Sequence, residues 1–348
     1  MKLRIAICSS FVPFINGGAR FIVEWLEERL REHGHSVELI YLPMNEERSE
    51  SMLRQMSAYR MMDLSQSVDR IITTRPPSHL IQHPKKVVWF IHHFRQYYDL
   101  WDTPHRGFAD DARHRAIREA ITRADTVALS EAHRLFSNSQ VVADRVQRFN
   151  GLQPEVLYPP LHDPRRFSNA GQGEEIVYIC RTEGHKRQHL LLEAFSHVRT
   201  PVRLRICGTG SNPAYAAGLH QYIAQHGLEN KVTFVERWIT EDEKAGWLST
   251  ALAAAYLPED EDSYGYPSLE AAHSCKPLLT TTDSGGVLEF VQHGRNGLIA
   301  EPDPRALAEA IDQLWTDRQK TREMGAEAHA RIGELKIDWS HVVERLLS

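Results

Sequence analysis

The chain has 348 residues, which at about 150 residues per domain corresponds to two ordinary domains and excludes a single small binding module. Hydrophobic residues make up 42% and charged residues 25%, so neither a disordered protein nor a membrane bundle is expected. The net charge of -5 argues against a nucleic-acid-binding protein, whose surface would be basic.

The predicted elements alternate between strand and helix from the first residues onward. An apolar strand at 3–8 leads through a glycine-containing loop into an amphipathic helix that ends near Gly34. A second strand at 37–42 completes a βαβ unit, which predicts a parallel sheet. The further strands that we predict lie at 69–73, 85–91, 134–137, 155–158, 175–180, 202–207, 231–235, 251–257, 277–281 and 297–300.

A polar stretch rich in proline and glycine, from Pro159 to Gly173, separates two series of these strands. We therefore predict an α/β protein with two tandem Rossmann-like domains, at 1–168 and 169–335. A short amphipathic helix over 336–348 is expected to pack back on the N-terminal domain.

The four cysteines lie far apart and show no metal-type pairing, which indicates reduced thiols. The opening apolar segment is too short for a signal peptide, and no run of 18 apolar residues occurs, so we predict a cytoplasmic protein. The weakly basic N-terminal half leaves peripheral contact with the inner face of the cytoplasmic membrane open, although it contains no compact basic cluster.

The loops that follow strands are the places to look for a ligand, because parallel sheets bind ligands beyond their carboxyl ends. The strand at 175–180 leads into a turn that runs from Arg181 through Lys186 to Arg187. Such a turn suits a phosphate, since a guanidinium binds two oxygens and an ammonium supplies a point charge. A solvated basic turn explains the same residues.

The next such loop carries Gly208 and Gly210, where missing side chains would let a ligand approach the backbone. The dinucleotide fingerprint fails here, because Pro213 stands where a third small residue is needed. A purely structural turn is the better interpretation of this loop taken alone.

The richest segment follows the strand at 251–257 and places four consecutive acidic residues before a glycine loop and a helix. Pro267 suits the first turn of that helix, and Glu270 follows about one turn later. A carboxylate there could accept the hydroxyl protons of a ribose. A helix N-terminus with favourable acids explains Asp260 to Asp262 but leaves the glycine loop unexplained.

In the first half, Gly17 and Gly18 follow the first strand, and the strand at 85–91 delivers His92 and His93 to the same edge. A histidine pair suggests a metal, but no third ligand has a clear spacing, so we predict no metal site.

Taken in order, these loops resemble the retaining glycosyltransferases of family four, which have the two-domain GT-B fold with a central cleft. Arg181 and Lys186 are similar to that family's diphosphate-binding pair. Asp262 and Glu270, eight residues apart, are similar to its paired acidic motif. The pattern continues through Gly285, Gly286, Glu289, Gly294, Asn296, Gly297, Pro302 and Asp303.

The resemblance implies transfer of a sugar from a UDP- or GDP-linked donor to a glycan, glycolipid or small-molecule acceptor, with no cofactor and no nucleic-acid partner. It implies catalytic roles for Arg181, Lys186, Asp262 and His92. The donor-binding residues that it implies are Gly17, Gly18, Gly208, Gly210, Ser263, Tyr264, Gly265, Tyr266 and Glu270. Arg20 and His93 are assigned to the acceptor side.

Two departures bear on specificity: Asp262 stands where glutamate is usual, and Arg20 stands near a position often occupied by glutamate. Four alternatives remain open. A hydrolase would need two carboxylates flanking the bond, and a metal-dependent transferase would use Asp260 and Asp262. A GT-B epimerase or phosphorylase, or a non-catalytic nucleotide- or glycan-binding protein, would share parts of the same pattern.

Overall fold

The computed structural model describes residues 2–12, 18–45 and 49–348, and within these ranges strands alternate with helices. The strands are β1 (Arg4–Phe11), β2 (Ser36–Pro43), β3 (Arg70–Thr73), β4 (Lys86–Phe90), β5 (Arg134–Ser137), β6 (Glu155–Val156), β7 (Glu175–Ile179), β8 (Arg203–Cys207), β9 (Val232–Val235), β10 (Ala253–Ala255), β11 (Leu278–Thr281) and β12 (Gly297–Ala300). The helices are α1 (Gly18–Glu32), α2 (Ser49–Arg60), α3 (Ala112–Ser130), α4 (Gln140–Asn150), α5 (Gln188–Phe195), α6 (Pro213–Gln225), α7 (Glu241–Thr250), α8 (Tyr266–His273), α9 (Val287–Phe290), α10 (Pro304–Thr316), α11 (Arg318–Glu334) and α12 (Trp339–Leu347). Each predicted strand coincides with one of these strands to within a few residues.

The strands form two parallel six-stranded sheets, as the βαβ alternation predicts. The first sheet has the order β2-β1-β3-β4-β5-β6, and the second has the order β12-β11-β10-β7-β8-β9. In the second sheet the chain runs outward from β7 to β9 and then restarts at β10 on the other side of β7. The boundary between β7 and β10 is therefore the topological switch point, where parallel sheets open a crevice for ligands.

The chain divides into two compact units. The N-terminal unit comprises Met1–Pro159 and Ile337–Ser348, and the C-terminal unit comprises Pro160–Lys336. The division lies at Pro159, on the first residues of the polar stretch, whereas the sequence placed it at 168.

Helix α12 belongs to the N-terminal unit because its apolar face is buried in that unit's core. Val342 and Leu346 are fully buried there and lie in one cluster with Ile22 and Leu26 of α1. The Asp338 side chain accepts a hydrogen bond from the backbone N–H of His341 and so begins the helix.

The central strands of both sheets are buried on both faces, which explains why their sequences are continuous apolar runs. All five residues of β4 are buried, including Lys86 at its start. Within the described ranges, no helix combines the length and the apolar character needed to cross a bilayer.

Candidate functional site

The predicted phosphate and acid loops are neighbours at the carboxyl edge of the second sheet. Strands β11, β10, β7 and β8 lie side by side and parallel, so the segments that follow them emerge at the same edge. The loops after β7 and β10 flank the switch point directly. The segments that follow β7 and β10 in the C-terminal unit therefore carry all four predicted residues, Arg181, Lys186, Asp262 and Glu270.

Arg181 follows the end of β7 with an exposed side chain on a fixed backbone. Its carbonyl oxygen accepts a 2.8 Å hydrogen bond from the Gln188 side-chain amide. The next residue, Thr182, donates its backbone N–H to the Thr209 carbonyl over 3.0 Å. Among the described residues, no carboxylate forms an ion pair with the Arg181 guanidinium. Its charge is therefore presented to solvent at the edge of the sheet.

Lys186 lies on a short 3-10 turn at the switch point and is only 6% exposed. Its ammonium forms an ion pair with Glu261 and donates a hydrogen bond to the Tyr256 hydroxyl over 2.9 Å. The Tyr256 hydroxyl also donates to Glu261 over 3.0 Å. The buried Tyr178 hydroxyl donates to the Lys186 carbonyl oxygen, which fixes the backbone of the turn.

Glu261 contacts a predicted site residue, but the sequence did not single it out. It occupies the middle of a run of four acidic residues, and spacing to Glu270 selected the next residue, Asp262, instead. The structure brings the Glu261 carboxylate against Lys186, while Asp262 is partly buried on the same loop. Burial and the Glu261 charge raise the pKa of Tyr256, so this hydroxyl stays protonated and donates.

Arg187, the other cation of the same turn, is a structural residue. Its guanidinium makes five hydrogen bonds, to the backbone carbonyls of Leu257 and Pro258, the Thr281 hydroxyl and both carboxylate oxygens of Asp283. These bonds hold together the segments that follow β7, β10 and β11, and they lower the pKa of Asp283. The Arg187 guanidinium is therefore engaged within the protein, in contrast to the exposed Arg181.

The glycines of these loops are required by close packing within the protein. A Cβ at Gly208 would lie 1.8 Å from the Cys180 carbonyl oxygen, and one at Gly210 would lie 1.8 Å from that of Thr182. Gly265 has φ of +68°, and a Cβ there would lie 2.4 Å from the ring of Tyr256. The glycines therefore allow the loops around the switch point to pack against one another.

The segment after β10 leads through Ser263, Tyr264 and Gly265 into α8, which begins at Tyr266. Tyr264 is buried, whereas Ser263, Gly265 and Tyr266 are partly exposed. Burial and the charge of Glu270 raise the pKa of Tyr266, so its hydroxyl stays protonated. Ser263, Gly265 and Tyr266 are therefore the partly accessible part of this segment.

Glu270 lies on α8 and is 7% exposed. The Lys244 ammonium of α7 donates to its Oε1 over 2.8 Å. Burial raises the pKa of Glu270, and the Lys244 charge opposes that shift. Lys244 is a second residue that sequence reasoning missed, because it lies on an ordinary polar helix far from any motif.

In the N-terminal unit, His92 and His93 follow β4 but occupy different environments. His92 is partly buried, and its Nδ1 lies 2.8 Å from the His93 carbonyl oxygen. His93 is 1% exposed, with its Nε2 3.0 Å from the Asn150 side-chain oxygen. Burial lowers the pKa of His93 to about 4. His93, which the sequence assigned to the acceptor side, therefore lies in the interior of the N-terminal unit.

Arg20 is exposed on α1, and its Nε lies 2.8 Å from Oε1 of Glu24, one helical turn away. Gly18 is the first residue of α1, and Gly17 lies outside the described residues. These N-terminal residues belong to one unit and the diphosphate pair to the other.

Comparison with known proteins agrees with the resemblance to glycosyltransferases that the sequence shows. Residues 163–331 match the family model described as glycosyl transferases group 1. The human alpha-1,3/1,6-mannosyltransferase ALG2 is 25% identical over 293 residues, which cover 76% of this chain and 68% of that protein. The alpha-maltose-1-phosphate synthase of Mycolicibacterium smegmatis is 27% identical over 248 residues, which cover 66% of this chain and 64% of that protein.

Solved structures resemble the whole chain. The Anabaena Alr3699/HepE structure in complex with UDP has a TM-score of 0.75 at 19% identity, covering 99% of each chain. Sucrose-phosphate synthase from Thermosynechococcus elongatus has a TM-score of 0.75 at 17% identity, covering 98% of this chain and 97% of that one. The predicted GT-B fold class is confirmed by these likenesses.

Proposed function

We propose that this chain, whose residues 163–331 match the group 1 glycosyl transferases, transfers a sugar from a nucleoside diphosphate sugar to a hydroxyl acceptor with retention of anomeric configuration. The donor is UDP- or GDP-linked, and the acceptor is a glycan, a glycolipid or a small molecule. The cytoplasmic location and the part in polysaccharide biosynthesis that the resemblance implies belong to this proposal.

The observation that carries the proposal is the pairing of Arg181 and Lys186 at the switch point of the second sheet. One cation is exposed on a fixed backbone, and the other is held by Tyr256 and Glu261. As the bond between sugar and diphosphate breaks, negative charge grows on the departing diphosphate. Fixed cations there stabilise the transition state more than the ground state, and one such donor is typically worth about 3 kcal/mol.

The remaining site residues fit the other parts of the donor. The Glu270 carboxylate accepts hydrogen bonds from the ribose hydroxyls, and Asp262 binds hydroxyls of the transferred sugar. The loop formed by Ser263 to Tyr266 lies between these two acids and lines the same donor. His92, of the N-terminal unit, is the residue that binds the sugar from that unit.

The proposed reaction uses no cofactor and no metal, because two protein cations take the part that a divalent ion plays in metal-dependent transferases. The metal-dependent alternative would use Asp260 and Asp262 as ligands. The two mechanisms differ in an observable way: only the metal-dependent one needs a divalent ion for tight diphosphate binding.

The choice of UDP as first ligand is supported by the fold relatives. Anabaena Alr3699/HepE has been solved with UDP and with UDP-glucose. The ALG2 relatives are named as mannosyltransferases and not as glucosyltransferases, so GDP is tested beside UDP.

The test is thermal unfolding of the full chain with UDP, GDP, ADP, TDP and NAD in turn, each with EDTA and with magnesium. A ligand at about 100 times its dissociation constant adds roughly 2.7 kcal/mol to the free energy of unfolding. We expect one diphosphate to raise the melting temperature in EDTA, and its sugar conjugate to release that diphosphate only when an acceptor is added. A stabilising effect that requires magnesium, or that only NAD produces, would overturn the proposal.

A further inference from the structure

Lys244 makes an ion pair with the proposed ribose carboxylate that no known motif of the chain explains. It lies on α7, and its side chain is 15% exposed. Its ammonium lies 2.8 Å from Oε1 of Glu270 and 2.9 Å from a carboxylate oxygen of Glu241. An ammonium has three donors, so these two contacts use most of its capacity.

The start of α7 is built so that Lys244 has a fixed position. Thr240 and Glu243 form a capping box: the Thr240 hydroxyl accepts from the Glu243 backbone N–H over 3.1 Å, and the Glu243 carboxylate accepts from the Thr240 backbone N–H over 3.0 Å. Arg237 adds a 2.6 Å ion pair to Glu243. Lys244 follows directly, so its backbone lies in a first helical turn whose N–H donors are capped.

The carboxylate of Glu270 is half satisfied. Oε1 accepts from Lys244, and no donor from the described residues reaches Oε2. The Glu270 side chain keeps 10% exposure, which leaves Oε2 open to a further donor. A ligand with hydroxyl donors is the group that would complete its hydrogen bonding.

We propose that Lys244 is a positioning residue for donor binding, which holds Oε1 of Glu270 and leaves Oε2 for the ribose hydroxyls of the nucleoside diphosphate. The inference rests on the proposed function, because it gives the bound ribose to Glu270. It adds a residue of α7 to a site otherwise formed by the segments that follow the strands.

The charge of Lys244 also favours the ionised form of Glu270. Burial raises the pKa of Glu270, and Lys244 is the cation that opposes this effect. For Lys244 itself, burial lowers the pKa, but the carboxylates of Glu270 and Glu241 outweigh burial and raise it. Each charge therefore favours the charged form of the other, and loss of Lys244 would raise the pKa of Glu270 further.

The other charged and titratable groups around α8 do not replace Lys244. Tyr266, on α8, stays protonated because its pKa is raised. Arg166, on the 3-10 turn that packs against α8, lies 3.6 Å from Asp242. His273 and His329 meet edge to face at the C-terminal end of α8. Glu241, on α7, is an anion and cannot neutralise Glu270.

The experiment measures binding by calorimetry, from pH 5.5 to 8.5, of the nucleoside diphosphate selected in the unfolding panel and of its 2′,3′-dideoxy counterpart. The variants are Lys244→Met, Lys244→Gln, Lys244→Arg and Glu270→Gln. Lys320→Met, which removes an exposed lysine of α11, is the matched control. Lys244→Gln keeps a neutral donor and serves if Lys244→Met does not fold.

We expect Lys244→Met and Lys244→Gln to weaken binding of the ribose ligand about 10-fold at pH 7, which corresponds to the loss of one well-placed hydrogen bond. Their affinity should fall further as the pH is lowered, because Glu270 becomes protonated and loses acceptor capacity. The affinity of the wild type should fall less over this range, because the Lys244 charge favours the ionised form of Glu270. Lys244→Arg should restore both properties, and the dideoxy ligand should bind the wild type and all Lys244 variants equally.

Two results overturn the inference. Equal losses for the ribose and dideoxy ligands would mean that Lys244 acts only on folding, and unchanged, pH-independent affinity would mean that it does not act on Glu270. Failure of the proposed function would give a different result, in the Glu270→Gln variant. If Glu270→Gln binds both ligands as the wild type does, the ribose contact itself is wrong, whatever the Lys244 variants do.

Discussion

The turn after β7 in the C-terminal unit and the segment after β4 in the N-terminal unit each carry two residues of the same type with opposite environments. In the turn, Arg181 is exposed, while Arg187 is 8% exposed and makes five hydrogen bonds. In the segment, His92 is partly exposed, while His93 is buried against Asn150. Residue type and proximity to a strand end therefore do not decide which side chain is exposed.

Within these two pairs, burial follows from a partner distant in the chain. Arg187 pairs with Asp283, 96 residues away, and His93 pairs with Asn150, 57 residues away. In each pair the residue with a distant partner is buried, and its neighbour of the same type keeps a more accessible side chain. Substitutions within these pairs test whether the buried member contributes to stability and the accessible member to activity.

The largest expected effect comes from Arg187→Met. The substitution leaves the buried carbonyls of Leu257 and Pro258 and the exposed Asp283 carboxylate without their donor. A buried polar group without a partner typically costs about 1–3 kcal/mol, so the two carbonyls together should cost about 2–6 kcal/mol. We expect a loss of this size in the free energy of unfolding, measured by urea titration. The matched control is Arg165→Met, whose arginine is 93% exposed and pairs with Asp163 over 3.4 Å; it should change stability by about 0.5 kcal/mol or less. A stability loss as small as the control's would show that Arg187 is not structural.

Arg181→Ala should show the opposite pattern. Loss of a fixed cation at the leaving diphosphate should lower kcat/KM about 100- to 1000-fold, because such donors are typically worth about 3 kcal/mol in the transition state. The melting temperature should stay unchanged, since the side chain is exposed. Arg322→Ala, an exposed arginine of α11, should change neither quantity. If Arg181→Ala keeps the wild-type kcat/KM, Arg181 does not belong to the donor site.

The sequence predicted the strands and the position of the site loops well, because these depend on local patterns. Apolar runs such as 175–180 and the glycine turn at Gly208 are visible within a few residues of sequence. The ion pairs of the site are not, because they join segments far apart in the chain. Glu261 could be told from Asp262 only by its contact with Lys186, which is 75 residues away.

Lys244 shows even more strongly that local sequence patterns do not predict ion pairs between distant segments. It is 26 residues from Glu270, and the acidic start of α7 offers an ordinary surface helix as the simplest interpretation. A search for lysines on helices adjacent to a predicted ribose carboxylate would have found it. That search needs the order of the strands, which local patterns do not provide.

The buried histidine should also make stability depend on pH. In the unfolded chain His93 titrates near pH 6.5, whereas in the folded protein its pKa is about 4. Between these values the unfolded state binds a proton that the folded state does not, so stability falls as the pH is lowered from 6.5 towards 4. We expect His93→Gln to lose about 2 kcal/mol less than the wild type between pH 7 and pH 5, measured by urea titration at each pH. Equal losses in the two proteins would show that His93 is not held neutral.

The smallest expected effect is that of His92, and it tests the accessible member of the histidine pair. A carbonyl oxygen only accepts hydrogen bonds, so the 2.8 Å contact with the His93 carbonyl requires a proton on Nδ1 of His92. In the neutral ring Nε2 is then an acceptor, suited to a sugar hydroxyl.

His92→Phe keeps the ring shape and removes this acceptor, so kcat/KM should fall about 10-fold, the value of one hydrogen bond, while the melting temperature stays close to that of the wild type. A donor that lacks the contacted hydroxyl should be used equally by both proteins, and His93→Gln should discriminate between the two donors as the wild type does. His92→Phe and the wild type could instead differ in activity with every deoxy donor. The loss of activity would then come from altered packing after β4, and the two histidines would differ in burial alone.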